Sequence, residues 1–173
     1  MKQGKIPNRV FITKGSGSNK YTQHAGSYHQ ALWDAGISHC NIMTYSSVLP
    51  ANAEFVSKDD LDDVVFGQEL YTIMAVAHGF DNEHISAGII YAALYADENY
   101  EIKKGYVVCE LGGYYRSEEL EARLYKIIES LYENSFQKED LYIGEPVVII
   151  ESYTVEERYG TALVAICIAD FLD

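Results

Sequence analysis

Ser46 and Ser47 close the stretch Asn41-Ile42-Met43-Thr44-Tyr45 and are followed at once by Val48-Leu49-Pro50. The stretch reads as a strand that runs into a tight exit at the proline. Proline fixes its own φ and drives the residue before it towards extended geometry. The Ser46–Ser47 peptide is therefore expected to be held between a strand and a constrained turn. A serine hydroxyl pressed against the carbonyl before it can attack that carbonyl and turn the amide into an ester. β-Elimination then releases the upstream chain and leaves dehydroalanine at position 47, which tautomerises and hydrolyses to a pyruvoyl group. This is covalent chemistry by an activated nucleophile, helped by local strain. Two serines alone read first as a strand ending in a polar turn, so the surrounding residues have to decide.

A second group with chemical potential is Glu110, a carboxylate inside the apolar run Tyr106-Val107-Val108-Cys109-Glu110-Leu111. Buried there, it would lose solvation, its pKa would rise, and it could hold a proton near neutral pH. Strand alternation alone also permits a solvent-facing position. Asn41 reads on its own as a polar residue near a sheet edge. The five histidines, His24, His29, His39, His78 and His84, show no metal-ligand spacing, so no metal is expected. They read as surface or capping residues, and no Ser-His-Asp set can be assembled from the order of residues.

These groups need elements to hold them. Arg9-Val10-Phe11-Ile12-Thr13 is a first strand, and Gly15-Ser16-Gly17-Ser18-Asn19 a flexible loop that lacks the third glycine of a dinucleotide site. Ser27-x-x-Gln30 matches a capping box. Tyr28, Ala31, Leu32 and Ala35 then form one buried helical face, His29 and Trp33 its flank, and Gly36 the stop. Lys58 to Val65 is a short acidic helix or loop. Strands are expected over Glu69–Ala77, over Ile85–Tyr95, where periodicity also permits a helix, and over Tyr106–Leu111, ending at Gly112-Gly113, with a turn at Phe80–Glu83. Ser117 should cap an amphipathic helix with Leu120, Leu124, Ile127, Ile128 and Leu131 on one side. Two apolar strands, Pro146–Tyr153 and Thr161–Ile168, close the chain. Many strands and two amphipathic helices make the class α+β, with sheet packed on sheet and helices outside.

At 173 residues the chain is long enough for one domain, residues 1–173, with a proper core. A hydrophobic fraction of 48% with 15 tyrosines argues against disorder. The net charge of −13 disfavours nucleic acid and anionic membrane surfaces and suits a cationic small molecule or a solvated acidic face. Met1 to Asn8 is polar and no apolar run spans a bilayer, so neither a signal peptide nor a membrane anchor is expected. Cys40, Cys109 and Cys167 sit in apolar runs without CxxC spacing, as buried reduced thiols of a cytoplasmic protein would.

The segment Ala31-Leu32-Trp33-Asp34-Ala35-Gly36-Ile37, then Asn41-Ile42, then Ser46-Ser47-Val48-Leu49-Pro50 resembles the pyruvoyl-dependent arginine decarboxylases. Weaker likeness continues through Glu83–Ala87, Gly105–Gly113 and Tyr159–Ala162. The resemblance implies an αββα sandwich and self-cleavage into residues 1–46 and 47–173. It implies a pyruvoyl group made from Ser47, and decarboxylation of arginine to agmatine. Ser46 would become the new C-terminus in the pocket, Asn41 would hold the processing site and substrate, and Glu110 would be the proton donor, with Cys109 the competing position. It also implies a homotrimer or hexamer with sites between subunits. One position departs from the pattern: His29 stands where the family carries the acid that grips the guanidinium. A neutral histidine cannot make that charge-assisted pair, so a different amino acid is an alternative substrate. Two other readings stay open: an uncleaved, non-catalytic subunit of an oligomer, and an unrelated small-molecule binding domain.

Overall fold

The computed structural model describes residues 4–61 and 64–172. In chain order its elements are β1 (Ile6–Pro7), β2 (Arg9–Asn19), α1 (His29–Asp34), β3 (Asn41–Thr44), β4 (Val48–Pro50), β5 (Glu54–Phe55), β6 (Glu69–Phe80), β7 (His84–Tyr95), β8 (Lys103–Gly113), α2 (Ser117–Asn134), β9 (Tyr142–Ile143), β10 (Val147–Thr154), β11 (Tyr159–Ile168) and β12 (Phe171–Leu172). One sheet runs β3-β6-β11-β2-β5. The other runs β10-β7-β8-β4, with β9 also on β7, and β1 pairs with β12. The two sheets pack face to face. α1 covers the outer face of the first through β2 and β11, and α2 covers the outer face of the second through β7, β8 and β10. The result is an αββα sandwich, as expected from the sequence.

Apolar side chains fill three layers. Ile73, Ile89, Val108, Val164 and Ile166 lie between the sheets. Phe11, Ala31, Leu32, Leu163 and Cys167 lie under α1. Ile90, Val107, Leu120, Leu124 and Ile128 lie under α2. β11 feeds two of these layers by alternation, because successive side chains of a strand point to opposite faces. It is buried on both, which is why it reads as an unbroken apolar run. In α2, Leu120, Leu124 and Ile128 recur every four residues and face the sheet, while Glu118 and Glu119 sit in the first turn, where the helix dipole favours acids.

The structure corrects three local expectations. Gly15-Ser16-Gly17-Ser18-Asn19 is no loop but the second half of β2, paired with β11 from Leu163 to Tyr159. The glycines are there because α1 lies on them: a Cβ at Gly15 would stand 2.3 Å from the Ala31 carbonyl oxygen, and one at Gly17 2.5 Å from the Gln30 Cβ. Ser27 does not cap a helix. The chain is already coiled as a π-turn over Gln23–Tyr28, and Ser27 is buried with its Oγ 2.9 Å from the Thr161 Oγ1. Ser117 is the first helical residue, not the cap, which is Arg116, and its hydroxyl lies 2.6 Å from that of Ser152. β8 ends at Gly112-Gly113, as expected, and begins earlier, at Lys103. The expected Gly36 stop is present: its φ is +69°, its N–H donates to the Trp33 carbonyl at 2.9 Å, and Ile37 N–H donates to Leu32 at 2.9 Å, a Schellman ending. Of the acidic stretch from Lys58 to Val65, Lys58–Asp60 form a 3₁₀ turn, and residues 62 and 63 lie outside the described residues, as do Met1 to Gln3.

Candidate active site at the crossing between the sheets

The serine pair sits where the chain changes sheets. β3 is an edge strand of the first sheet, parallel to β6 from Asn41↔Glu69 to Thr44↔Thr72. Tyr45 N–H adds a last rung to the Thr72 carbonyl at 2.9 Å. β4 is an edge strand of the second sheet, antiparallel to β8 with Val48↔Val107 and Pro50↔Gly105. There Val108 N–H donates to the Ser47 carbonyl at 3.0 Å. The Ser46–Ser47 peptide is thus the step from one sheet to the other, pinned on both sides. Inside the step, Val48 N–H donates back to the Ser46 carbonyl at 2.9 Å.

The Ser47 hydroxyl donates to the Glu110 carboxylate, 2.8 Å from Oε1 and 3.0 Å from Oε2. Strand alternation explains the meeting. Leu49 and Val108 both point between the sheets. Ser47 shares the parity of Leu49, and Glu110 that of Val108, so both point to the same side at its rim. Ser47 lies opposite Val108, and Glu110 is the next residue along on that face, within reach of its long side chain.

The burial expected for Glu110 is not found within the chain, where the side chain is exposed. β4 pairs only as far as Val107, so Glu110 lies beyond the end of its neighbour on that edge. Cys109, the competing position, points to the opposite face and is buried under α2. Burial, with the nearby charge of Glu110 adding to it, pushes its thiol up to about 11. That makes it a poor acid or nucleophile near neutral pH, whereas Glu110 touches the reacting hydroxyl.

The other expected residues do not join this pair within one chain. Ser46 is exposed at the crossing itself. Asn41, also exposed, lies at the far end of β3 and spends its Nδ2 on the Gly67 carbonyl at 2.6 Å. His29 is exposed on α1, outside the first sheet, so that sheet separates it from Ser47. One turn on, Trp33 is 70% exposed. His78 and His84 hydrogen-bond Thr161 and Thr154, each at 3.0 Å.

Sequence reading missed what lies beneath the crossing. Tyr45, Tyr71 and Phe171 form a cluster, with Tyr71 5.4 Å edge-on to each of the others. Lys5 Nζ lies 5.3 Å from the Phe171 ring centroid. These residues come from four distant parts of the chain, and no local pattern links them. The Val48 N–H was invisible for a similar reason, since side-chain spacing says nothing about where a backbone donor turns.

The family model described as pyruvoyl-dependent arginine decarboxylase matches residues 9–173. Curated relatives include a pyruvoyl-dependent arginine decarboxylase of Methanococcoides burtonii, 38% identical over 95 residues, which are 54% of this chain and 52% of the relative. Another, of Picrophilus torridus, is 40% identical over 92 residues, 52% of this chain and 50% of the relative. A probable pyruvoyl-dependent arginine decarboxylase of Chlorobaculum tepidum is 35% identical over 95 residues, 54% of this chain and 51% of the relative. The chain spans about half the length of the curated relatives it matches.

Proposed function

This chain belongs to the pyruvoyl-dependent arginine decarboxylase family, and from that premise we propose that it cleaves itself between Ser46 and Ser47 and then decarboxylates an amino acid, arginine first among candidates, to agmatine and carbon dioxide. The observation that carries this reading is the hydrogen bond from the Ser47 hydroxyl to both oxygens of Glu110, made at the peptide that steps between the sheets. A carboxylate so placed can take the hydroxyl proton as Oγ attacks the Ser46 carbonyl. The ester that forms loses the Ser46 carboxylate by β-elimination, and hydrolysis of the remaining dehydroalanine consumes one water and releases ammonia. Residues 1–46 and 47–173 are the two products.

Ser47 fits as the source of the group: its hydroxyl is held, its carbonyl is fixed by Val108 N–H, and its side chain opens on the rim rather than into the packed core. The pyruvoyl carbonyl supplies an electron sink for the pair left when carbon dioxide departs. In that reaction Glu110 faces the position of the former Ser47 side chain and returns a proton to the substrate carbon. Ser46, as a new C-terminal carboxylate, lies beside it. Asn41 and His29 belong to the substrate end of the pocket. Their separation from Ser47 within one chain, with the exposed Trp33 beside His29, supports a homotrimer or hexamer in which a neighbouring copy completes the site. The free thiols Cys40, Cys109 and Cys167 suit the reducing cytoplasm. Among the described residues no helix is long and apolar enough to cross a membrane.

A second reading concerns the substrate and rests on His29, which offers no negative charge to a guanidinium. A screen of the common amino acids for carbon dioxide release separates the two. If arginine is the substrate despite His29, His29→Asp should raise kcat/KM for it by roughly tenfold, equivalent to about 1.4 kcal/mol. Efficient arginine turnover by the natural chain, made worse by His29→Asp, would remove His29 from the pocket.

Mass spectrometry of purified protein after long incubation tests the cleavage. The expected result is two chains, residues 1–46 and 47–173, the second opening with a pyruvoyl group that reacts with hydrazines. Ser47→Ala should remain whole. One intact mass with an unmodified serine at position 47 overturns the proposal.

A further inference from the structure

We infer that the backbone N–H of Val48 is the oxyanion donor for the cleavage step, built into the precursor before any reaction begins. The inference rests on the self-cleavage proposed above and adds the group that activates the carbonyl under attack.

The geometry is that of a γ-turn. Val48 N–H donates to the carbonyl of Ser46, two residues back, at 2.9 Å. Among the described residues the non-glycine positions with positive φ are Asn82, Tyr100 and Asp140, so Ser47, the central residue, takes the inverse form that is common at strand ends. Val48 is the first residue of β4 and pairs with Val107, yet its N–H turns back along its own chain. The turn is held from three sides. Tyr45 N–H is tied to Thr72 in one sheet, Ser47 C=O is tied to Val108 in the other, and the Ser47 hydroxyl is tied to Glu110. The donor therefore cannot drift from the acceptor without breaking sheet hydrogen bonds.

The chemistry needs such a donor. As the Ser47 Oγ–H proton passes to Glu110, Oγ bonds to the Ser46 carbonyl carbon and the π pair moves onto the carbonyl oxygen. That oxygen is the one Val48 N–H already contacts, so the developing negative charge appears where a donor is waiting. The oxyanion then collapses, the C–N bond breaks, and the proton held by Glu110 goes to the Ser47 nitrogen, leaving the ester. A fixed donor aimed at developing charge needs no reorganisation during the step. One such donor is typically worth on the order of 10²–10³-fold in rate. The same bond withdraws electron density from the ground-state carbonyl.

The test replaces Val48 by its α-hydroxy acid, which exchanges the N–H for an ester oxygen and keeps the side chain. Cleavage of the full chain should slow by roughly 10²–10³-fold relative to wild type. Hydroxylamine cuts the new backbone ester after Ser47 and would cut an ester at Ser46 as well, so mass spectrometry should find residues 1–47 but no residues 1–46, because the block precedes the Ser46 ester. A separate readout is independent of cleavage. With the Ser46 carbonyl carrying ¹³C in a Ser47→Ala chain, the infrared stretch should move to higher frequency when the hydroxy acid is introduced at position 48. Wild-type-like cleavage of the variant, release of residues 1–46 by hydroxylamine, or an unmoved carbonyl stretch each overturns the inference. A wild-type chain that never cleaves removes the self-cleavage reading and this inference with it. A wild-type chain that cleaves beside an equally fast variant removes only the inference.

Discussion

Glu110 carries two duties that a single carboxylate can serve at different times. In the intact chain it accepts from the Ser47 hydroxyl through both oxygens. Once that hydroxyl is gone, the same carboxylate faces the new carbonyl and the substrate. Glu110→Gln keeps the size and a hydrogen-bonding side chain but can neither take nor give the proton. Turnover measured as carbon dioxide release should fall by roughly 10²–10⁴-fold. Cleavage should also slow, and gel densitometry against time would measure it. Wild-type turnover in that variant would move the proton donor elsewhere. At this scale the sequence was half legible. The identity of Glu110 followed from its being the carboxylate of its strand. Alternation left its exposure open, because periodicity cannot see that β4 stops pairing at Val107. Ser47 could be named from its neighbours, whereas the donor on the adjacent backbone could not.

Two elements hold the pair in place, and their closeness has a specific weak point. β8 crosses β6 at Gly112, where a Cβ would stand 2.2 Å from the Val76 carbonyl oxygen. Backbone cannot step aside as a flexible side chain can. Gly112→Ala should therefore cost about 1–3 kcal/mol, the range for overpacking. It should also displace Glu110, two residues away, and slow cleavage at temperatures where the fold persists. Gly4→Ala, with nothing within 4 Å, is the matched control in the same thermal melt. On the outer face of β6, His78 is packed against Tyr28, their ring centroids 6.3 Å apart, with its Nδ1 on Thr161. Burial lowers its pKa below the usual 6.5, and the nearby His24 lowers it further. The unfolded chain then takes up this proton first as pH falls. The neutral ring stabilises the fold fully above about 6.5, and that contribution is lost as pH falls from there through the folded value. His78→Gln should flatten the dependence of the melting midpoint on pH below 6.5. An unchanged slope would assign it to other groups. The amphipathic α2 and the apolar strands were readable because their partners are apolar too. The Gly-Ser half of β2 was not, since its information lies in the helix that presses on it and in the long apolar β11 beside it.

Across the whole molecule, the bond proposed to break joins two pieces that remain interlocked. β2 lies in the interior of its sheet, paired with β11 from Asn19↔Tyr159 to Val10↔Ile168 and flanked on the other side by β5. β3 is paired with β6, and α1 is packed over β2 and β11. After cleavage, residues 1–46 should co-elute with residues 47–173 on native gel filtration and separate only in denaturant. Release of the small piece without denaturant would show that the crossing peptide holds the sheets together, not the reverse. The same topology has another consequence. β1 pairs with β12, Ile6 against Leu172, so these residues near the two ends of the described chain lie about 5 Å apart, close beneath the crossing, where Phe171 packs near Tyr45. A circular permutant that starts at Ser47, runs to Leu172 and returns through a short linker to residues 6–46 preserves every pairing described. Its first residue would be a serine with a free amine and no peptide bond ahead of it to attack. Periodate oxidises such a 1,2-amino alcohol to an aldehyde, so this permuted chain could receive its reactive carbonyl from a reagent instead of from its own backbone.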